Sequence, residues 1–218
     1  VAETGGQRSW HAHDQGVACL AANIEGTRIV SGDWGGNLRA WDADSGRLLQ
    51  RQRLHHGRVR SVRFSADGQR LVTSGADGTV CVVDVETGAA AERIETRVAL
   101  NQAVFFGDAG DVLTISDQGR LELWRAGNRS PPTLVLFRRP KLLALDVHAR
   151  LGAYACSDDH GRIHVGVVSK EFETTAGPAE PGSSSIAKRT WQAHAAEVMS
   201  VAWSPDGNLL ASASADGQ

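Results

Sequence analysis

The sequence predicts an all-β protein built from repeated antiparallel sheets of four short strands, and three observations support this. Residues 59–78, VRSVRFSADGQRLVTSGADG, match residues 198–217, VMSVAWSPDGNLLASASADG, without a gap at an offset of 139. Short apolar runs alternate with turn residues, and helical spacing is absent over any useful length. A turn glycine also recurs at intervals of 42, 41, 42 and 56 residues, at Gly36, Gly78, Gly119, Gly161 and Gly217. A period of about 40–45 residues is typical of folds in which each repeat forms one sheet.

The second repeat shows how each strand is predicted. Val59 to Phe64 forms a first apolar run, and the Ser-Ala-Asp-Gly sequence after it is a turn. Leu71 to Ser74 and Thr79 to Val83 form the second and third strands, separated by Ala-Asp-Gly. A more polar fourth run, Ala91 to Ile94, suits an outer strand with solvent on one side.

The other repeats follow the same pattern. Their first three strands are predicted at 17–22, 28–32 and 37–41, at 100–106, 112–116 and 120–124, and at 142–147, 153–157 and 162–168. The predicted units are 1–11 (end of a preceding repeat, with an outer strand at about 7–11), 12–53, 54–95, 96–137, 138–191 and a truncated 192–218. We therefore expect four complete sheets and two partial ones, with further sequence on both sides.

The fourth unit contains an insertion, predicted at 169–190 and flexible. Its residues 174–185, TTAGPAEPGSSS, have the composition of a linker. Two interpretations remain open: a tolerated surface insertion, or a loop that binds a partner or is phosphorylated.

Composition excludes several classes of function. With 23 basic and 25 acidic residues among 218, the net charge of -2 creates no field that would attract nucleic acid or a membrane surface. The chain has no apolar run approaching the roughly 18 residues of a membrane span. The three cysteines are widely separated and lie in apolar runs, which favours a reducing compartment such as the cytoplasm. Val1 begins the sequence without the features of a signal peptide, so we expect an excised segment.

The period, the turns, the second and fifth repeats and the single Trp41-Asp42 pair resemble the WD-repeat family. The resemblance implies a β-propeller of four-stranded antiparallel blades, with an incomplete ring in this chain. It also implies a buried structural network in each blade. This network joins a His before the first strand, a Ser or Thr on the second, an Asp in the next turn and a Trp on the third.

The first repeat carries most of this implied network. His13, Ser31 and Trp41 occupy the His, hydroxyl and Trp positions. Gly35 occupies the Asp position, while Asp33 lies two residues early. We therefore expect the network of the first repeat to be incomplete.

The remaining repeats match in part. The matching residues are His55 and Asp77 in the second repeat, Trp124 in the third, and His194, Ser212 or Ser214, and Asp216 in the fifth. The departures are Val83 at the Trp position of the second, Thr96 at the His position of the third, and Arg138 and Gly166 at the His and Trp positions of the fourth. No repeat is expected to hold a complete network.

Catalytic and metal-binding alternatives are weak. His11 and His13 lie on one face of a strand, but His160 and His164 fall in a turn and a strand and do not align. Asp158, Asp159 and His160 lie in a turn, where such residues are usually turn formers. No hydrolase elbow, phosphate loop or dinucleotide loop is present. We predict no enzyme activity, no cofactor and no metal site.

Protein binding is the best-supported function. Trp34 lies in a tight turn and is either an exposed anchor for a partner or packed locally. Four charged residues complete the candidate surface, and their mixed signs favour a polar protein or peptide unless they are only solvated: Arg58, Arg60, Asp159 and Glu197.

We therefore predict a non-catalytic WD-repeat scaffold that mediates protein–protein interaction and complex assembly. Its partners would be proteins or peptides and the rest of its own propeller, without nucleic acid or membrane. The alternative is a regulatory or sensor segment of a larger signalling enzyme, a kinase or nucleotide hydrolase, with the chemistry outside this chain.

Overall fold

The computed structural model of the chain describes residues 2–4, 7–96, 98–107, 110–127, 132–137, 140–168 and 189–218. Within these ranges, the only helical segment is a single 3-10 turn, Ala149–Leu151, and the other regular elements are strands. The strands of the first half are β1 (Ala2–Thr4), β2 (Gln7–Ser9), β3 (Val17–Ala22), β4 (Arg28–Asp33), β5 (Asn37–Asp42), β6 (Leu48–Arg53), β7 (Val59–Phe64), β8 (Arg70–Gly75), β9 (Thr79–Asp84) and β10 (Ala90–Glu95). Those of the second half are β11 (Leu100–Phe106), β12 (Asp111–Ser116), β13 (Arg120–Trp124), β14 (Thr133–Phe137), β15 (Leu142–His148), β16 (Ala153–Asp158), β17 (Arg162–Val167), β18 (Arg189–Gln192), β19 (Val198–Trp203) and β20 (Leu210–Ser214).

These strands form four sheets of four strands and two sheets of two strands. The four-stranded sheets follow chain order, β3 to β6, β7 to β10, β11 to β14 and β15 to β18, and the small sheets are β1–β2 and β19–β20. Neighbouring strands pair antiparallel, as in Val17–Asp33 and Gly32–Leu38 of the first large sheet. The predicted all-β fold of repeated four-stranded sheets is confirmed.

The chain divides into two compact units, 1–103 and 104–218, and the division falls within β11. In the first unit, apolar side chains of β4, β5, β7, β8 and β9 form one core, including Val30, Leu38, Val62, Leu71 and Cys81. The outer strands β6 and β10 contain no buried residue. This difference follows from position, because an outer strand has solvent on one side.

The second unit contains two apolar clusters. The larger includes Leu113, Leu121, Leu142 and Tyr154, and the smaller joins β15, β16 and β17 to β19 around Val198. Tyr154 pairs directly with Gly166 across β16 and β17. A Cβ on Gly166 would lie 2.6 Å from Tyr154 Oη, so the glycine leaves room for the tyrosine ring.

A glycine in the turn after the second strand joins one repeat to the next. Gly36 has a φ of 88°, and its carbonyl oxygen accepts hydrogen bonds from the N–H groups of Leu54 (3.0 Å) and His55 (3.2 Å). The positive φ and the close approach of the His55 carbonyl exclude a Cβ here. Later repeats use the same contact, with Gly78 accepting from Thr96 and Gly161 from Ala193 and His194.

The predicted insertion, 169–190, is too long at its end. Residues 169–188 lie outside the described residues, but Arg189 and Thr190 belong to β18. Thr190 pairs with His164, and Gln192 pairs with Arg162. The fourth sheet therefore extends one residue past the predicted boundary at 191, because Gln192 is the last residue of β18 to pair with β17.

Candidate functional site

The first large sheet contains a continuous hydrogen-bonded chain of four side chains. Trp41 Nε1–H donates to Ser31 Oγ (2.8 Å), and Ser31 Oγ lies 2.7 Å from His13 Nε2. His13 Nδ1 lies 3.0 Å from Asp33 Oδ2. This arrangement places the proton of the neutral His13 ring on Nδ1, which donates to Asp33, because Ser31 can then donate to Nε2. All four side chains are buried, so this hydrogen-bonded network fixes β4 to β5 and to the segment before β3.

Asp33 completes this network, which the sequence predicted to be incomplete. Its Oδ1 accepts hydrogen bonds from the N–H groups of Gly35 (2.9 Å) and Asn37 (2.8 Å), and its Oδ2 accepts from Asn37 Nδ2 (2.8 Å). Burial opposes ionisation, but the hydrogen bonds from Asn37 and His13 hold the pKa of Asp33 below its usual value. The Asp33 carboxylate, at the end of β4, therefore contacts the His13 ring in place of an Asp at position 35 in the turn.

The second large sheet builds a related network without a tryptophan. His55 Nε2 lies 2.9 Å from Thr73 Oγ1, and His55 Nδ1 lies 2.7 Å from Thr79 Oγ1 and 3.3 Å from Asp77 Oδ1. Thr79 donates to Asp77 Oδ1 (2.7 Å), and the N–H of His56 donates to Asp77 Oδ2 (2.7 Å). Burial lowers the pKa of His55 despite the nearby Asp77, which favours the neutral ring. Sequence reasoning missed Thr73 and Thr79, whose hydroxyls lie on β8 and β9.

The two-stranded sheet β19–β20 shows which serine of the fifth repeat contacts its histidine. His194 Nε2 lies 2.8 Å from Ser212 Oγ, and His194 Nδ1 lies 3.2 Å from Asp216 Oδ2. Ser214 instead donates to the carbonyl oxygen of Ala196 (3.2 Å). Of the two candidates, Ser212 is the hydroxyl that contacts the histidine.

The third sheet keeps one contact of the network. Trp124 Nε1–H donates to Thr114 Oγ1 (3.0 Å) across β12 and β13. Thr96, at the expected His position, is close to the carbonyl oxygens of Gly78 (2.7 Å) and Val98 (2.8 Å), and its hydroxyl can donate to either. Thr96 therefore supports the turn of the preceding repeat.

The fourth sheet contains a histidine network in a different place. His164 on β17 lies 3.1 Å from Asp158 Oδ2 through Nε2 and 3.0 Å from Thr190 Oγ1 through Nδ1. Arg162 Nε also donates to Asp158 Oδ2 (2.9 Å). Burial opposes it, but hydrogen bonds from Arg162, His164 and His160 keep the pKa of Asp158 below its usual value. Arg138 lies outside the described residues.

A shared spacing could have identified two of these carboxylates. Asp33 lies three residues before Gly36, and Asp158 lies three residues before Gly161. Asp77 and Asp216 instead lie immediately before their turn glycines. The two spacings mark two ways of bringing a carboxylate to the histidine.

These histidines and carboxylates bind one another and the backbone. Across the ranges that the structure describes, no group of three or more His, Cys, Asp or Glu side chains could hold a metal ion. His160 Nδ1 contacts Asp159 Oδ1 (2.8 Å) in the exposed turn after β16.

The described residues contain no helix with the length and hydrophobicity of a membrane span. Cys19, Cys81 and Cys156 form no disulfide within the part of the chain that the structure describes.

Trp34 is both exposed and in local contact. Its side chain lies in the turn between β4 and β5, and the residue is 58% exposed. The Arg58 guanidinium carbon lies 5.1 Å from the centre of the indole ring, within the range of a cation–π interaction. The structure thus brings Trp34 and Arg58 together, and Arg60 is exposed two residues further along the same chain segment.

Asp159 and Glu197 belong to the second unit, where each has its own contacts. Asp159 pairs with His160, and the carbonyl oxygen of Glu197 accepts a hydrogen bond from the N–H of Ala215 (3.0 Å). Their grouping with Trp34 stays a prediction.

Comparisons with known proteins match this architecture. The family described as "WD domain, G-beta repeat" matches residues 6–42, 46–84 and 186–218. WD repeat-containing protein 55 from Arabidopsis thaliana is 34% identical over 113 residues, which cover 50% of this chain and 31% of that protein. Small ribosomal subunit protein RACK1y from Oryza sativa subsp. japonica is 35% identical over 95 residues, which cover 43% of this chain and 28% of that protein. The matched regions thus span less than a third of either relative.

Solved β-propellers share the fold at low sequence identity. The Cps50 (Swd1) β-propeller domain of Myceliophteria thermophila superposes with a TM-score of 0.76 at 12% identity, covering 94% of this chain and 64% of that one. A chain in the crystal structure of a mitotic checkpoint complex gives 0.77 at 17% identity, covering 96% and 64%. With three family matches, repeated four-stranded sheets and propeller neighbours, this chain belongs to the WD-repeat β-propeller family.

Proposed function

We propose that this chain is a non-catalytic scaffold that binds other proteins and assembles them into complexes. WD-repeat proteins generally serve as protein-interaction scaffolds, and propellers of this family are generally non-catalytic. The observation that supports a binding role in this chain is Trp34, a large aromatic side chain exposed on a turn that hydrogen bonds hold in place. Exposed tryptophans are enriched among the residues that dominate protein interfaces.

The turn that carries Trp34 is fixed from both sides. Asp33 accepts hydrogen bonds from Gly35 and Asn37, which closes the turn around residue 34. The N–H of Trp34 donates to the carbonyl oxygen of Gly16 (3.1 Å), at the start of the same sheet. A partner that contacts Trp34 therefore loses little conformational entropy from this loop, which favours binding.

The same proposal places the protein in a reducing compartment such as the cytoplasm, with protein or peptide partners and no membrane or nucleic-acid partner. The rest of its own propeller would supply further contacts. A regulatory segment of a signalling enzyme is the alternative, and no residue in the described ranges favours it.

Quantitative affinity capture from a cell extract tests the scaffold role. We would compare the wild-type full chain with Trp34→Ala and with Ile24→Ala, a control at the other end of the same sheet that is 88% exposed. Trp34→Ala should reduce recovery of at least one partner about tenfold or more, as expected for a central interface tryptophan. Ile24→Ala should leave recovery unchanged. Equal recovery by all three chains, or no specific partner of the wild type, would overturn the proposal.

A further inference from the structure

We infer that Trp34, Arg58 and Arg60 form a binding surface for a carboxylate-rich peptide segment of a partner protein. We call these three residues the Trp–Arg surface. The inference rests on the proposed scaffold function and names the chemistry of the partner. It is supported by the contact of Arg58 with Trp34 and by the lack of an ion pair at either arginine among the described residues.

Arg58 is held in place by an aromatic ring rather than by an acid. Its guanidinium carbon lies 5.1 Å from the centre of the Trp34 ring. A guanidinium over an aromatic face keeps its N–H groups at its edge available for other acceptors. The contact also restricts a long side chain, so less entropy is lost when Arg58 binds a ligand.

Arg60 adds a second cation on the same segment. Its Nη1 lies 3.4 Å from Asn101 Oδ1, a neutral acceptor. Among the described residues, neither Arg58 nor Arg60 forms an ion pair with a carboxylate. Arg39, by contrast, pairs with Asp14 (3.2 Å).

Three carboxylates of the first unit are paired or hydrogen-bonded to other groups. Asp14 is paired with Arg39, and Asp33 is buried and occupied by His13, Gly35 and Asn37. Asp77 accepts hydrogen bonds from His56 and Thr79. None of them is ion-paired with Arg58 or Arg60, so both guanidinium groups can bind a carboxylate ligand, and that of Arg58 lies over an exposed indole.

A carboxylate is the ligand group that suits this surface. Guanidinium binds carboxylates through two parallel hydrogen bonds, which add direction to the charge attraction. A nucleic-acid strand requires a longer basic groove along its backbone, and this protein has a net charge of -2. Arg58 at the indole and Arg60 two residues further along suit a short acidic peptide whose apolar neighbour contacts Trp34.

Fluorescence anisotropy with labelled decapeptides tests the inference directly. The probes are a glutamate decapeptide, a glutamine decapeptide of equal length and a ten-nucleotide thymidine strand. The proteins are the wild-type full chain, Arg58→Gln, Arg60→Gln and Arg51→Gln, whose arginine is exposed on β6 and serves as the matched control. The Tm of each variant verifies that it folds.

The wild type should bind the glutamate peptide more tightly than the other two probes. Each of Arg58→Gln and Arg60→Gln should weaken this binding about 3- to 10-fold, because each removes one exposed charge contact. Arg51→Gln should match the wild type, and added salt should weaken binding because exposed charges are screened.

Equal affinity for the glutamine peptide, tighter binding of the thymidine strand, or an equal loss in Arg51→Gln would each overturn the inference. The affinity capture described above separates this failure from that of the scaffold role. If Trp34→Ala loses partners while the wild type ignores the glutamate peptide, only the peptide chemistry is wrong. If Trp34→Ala loses none, the scaffold proposal itself fails.

Discussion

The first and second blades, β3–β6 and β7–β10, place a carboxylate beside their histidines from two different positions. In the first blade Asp33 ends β4 and Gly35 follows in the turn. In the second blade the order is exchanged, with Gly75 ending β8 and Asp77 in the turn. Both carboxylates nevertheless reach Nδ1 of the blade's histidine, at 3.0 Å in the first and 3.3 Å in the second.

Steric contacts restrict which of the two positions can hold the aspartate and which holds the glycine. A Cβ on Gly75 would overlap the Asp77 carboxylate and would lie 2.7 Å from Cγ of His55. A Cβ on Gly35 would lie 2.9 Å from Gln15 Oε1 and 3.1 Å from Asn37 Nδ2. In the second blade, the space beside the histidine thus admits one carboxylate, and the other position is a glycine; in the first blade, Gly35 lies against Gln15 and Asn37. The network is defined by where the carboxylate arrives and not by a fixed sequence position.

The largest expected effect is at Gly75. Gly75→Ala should lower the free energy of unfolding by about 3 kcal/mol, because the methyl group displaces Asp77 or His55 in a buried site. Chemical denaturation measures the loss. Gly57→Ala is the control, since its Cβ would meet its nearest atom at 3.6 Å.

The exchange itself can be tested by combining Gly75→Asp with Asp77→Gly, which gives the second blade the arrangement of the first. The double variant should be more stable than the sum of the single changes by about 1 kcal/mol or more, because the two positions share one space. Additive changes would contradict the steric explanation.

A smaller effect is expected at Trp41, which the second blade replaces by Val83. Trp41→Phe keeps a ring in the core but removes the Nε1–H donor to Ser31, so the free energy of unfolding should fall by about 1–2 kcal/mol. Trp34→Phe, at an exposed ring, should change it by less than about 0.5 kcal/mol. Equal losses in the two variants would show that ring size, rather than the hydrogen bond, decides the effect.

The smallest expected effect is a pH dependence from the second blade. Burial lowers the pKa of His55, so the unfolded chain binds a proton first as the pH falls below about 6.5. The stability that the neutral ring provides is complete above this pH and decreases below it, by up to about 1 kcal/mol between about pH 6.5 and pH 5.5. Denaturation at several pH values should give a flatter profile for His55→Gln than for the wild type. Identical profiles would contradict the assignment.

The fold was largely predictable because turns punctuate the sequence at regular intervals. The bounds of β3, β11 and β13 match the predicted ones, while β4 and β16 extend one residue further than expected. The extra residues are Asp33 and Asp158, which typically indicate a turn. Both remain in their strands because their carboxylates fold back onto the turn N–H groups that follow.

The hydrogen-bond networks were predictable only where a residue occupied its expected position. His13 and Ser31 contact each other, as do His194 and Ser212. The sequence does not indicate the network of His164, because its partner Thr190 lies 26 residues away across a sheet. The Trp34–Arg58 contact joins two repeats, so no pattern within one repeat could indicate it.

The hydrogen bonds of the turn glycines explain how the fourth blade tolerates its long connection. Gly36 and Gly78 each bind a backbone N–H 18 residues later, whereas Gly161 binds the equivalent group 32 residues later. The Gly161 contact is thus the same as those of Gly36 and Gly78, although 14 more residues separate the two groups that it joins. We therefore expect an epitope or reporter inserted between residues 168 and 189 to leave this contact in place.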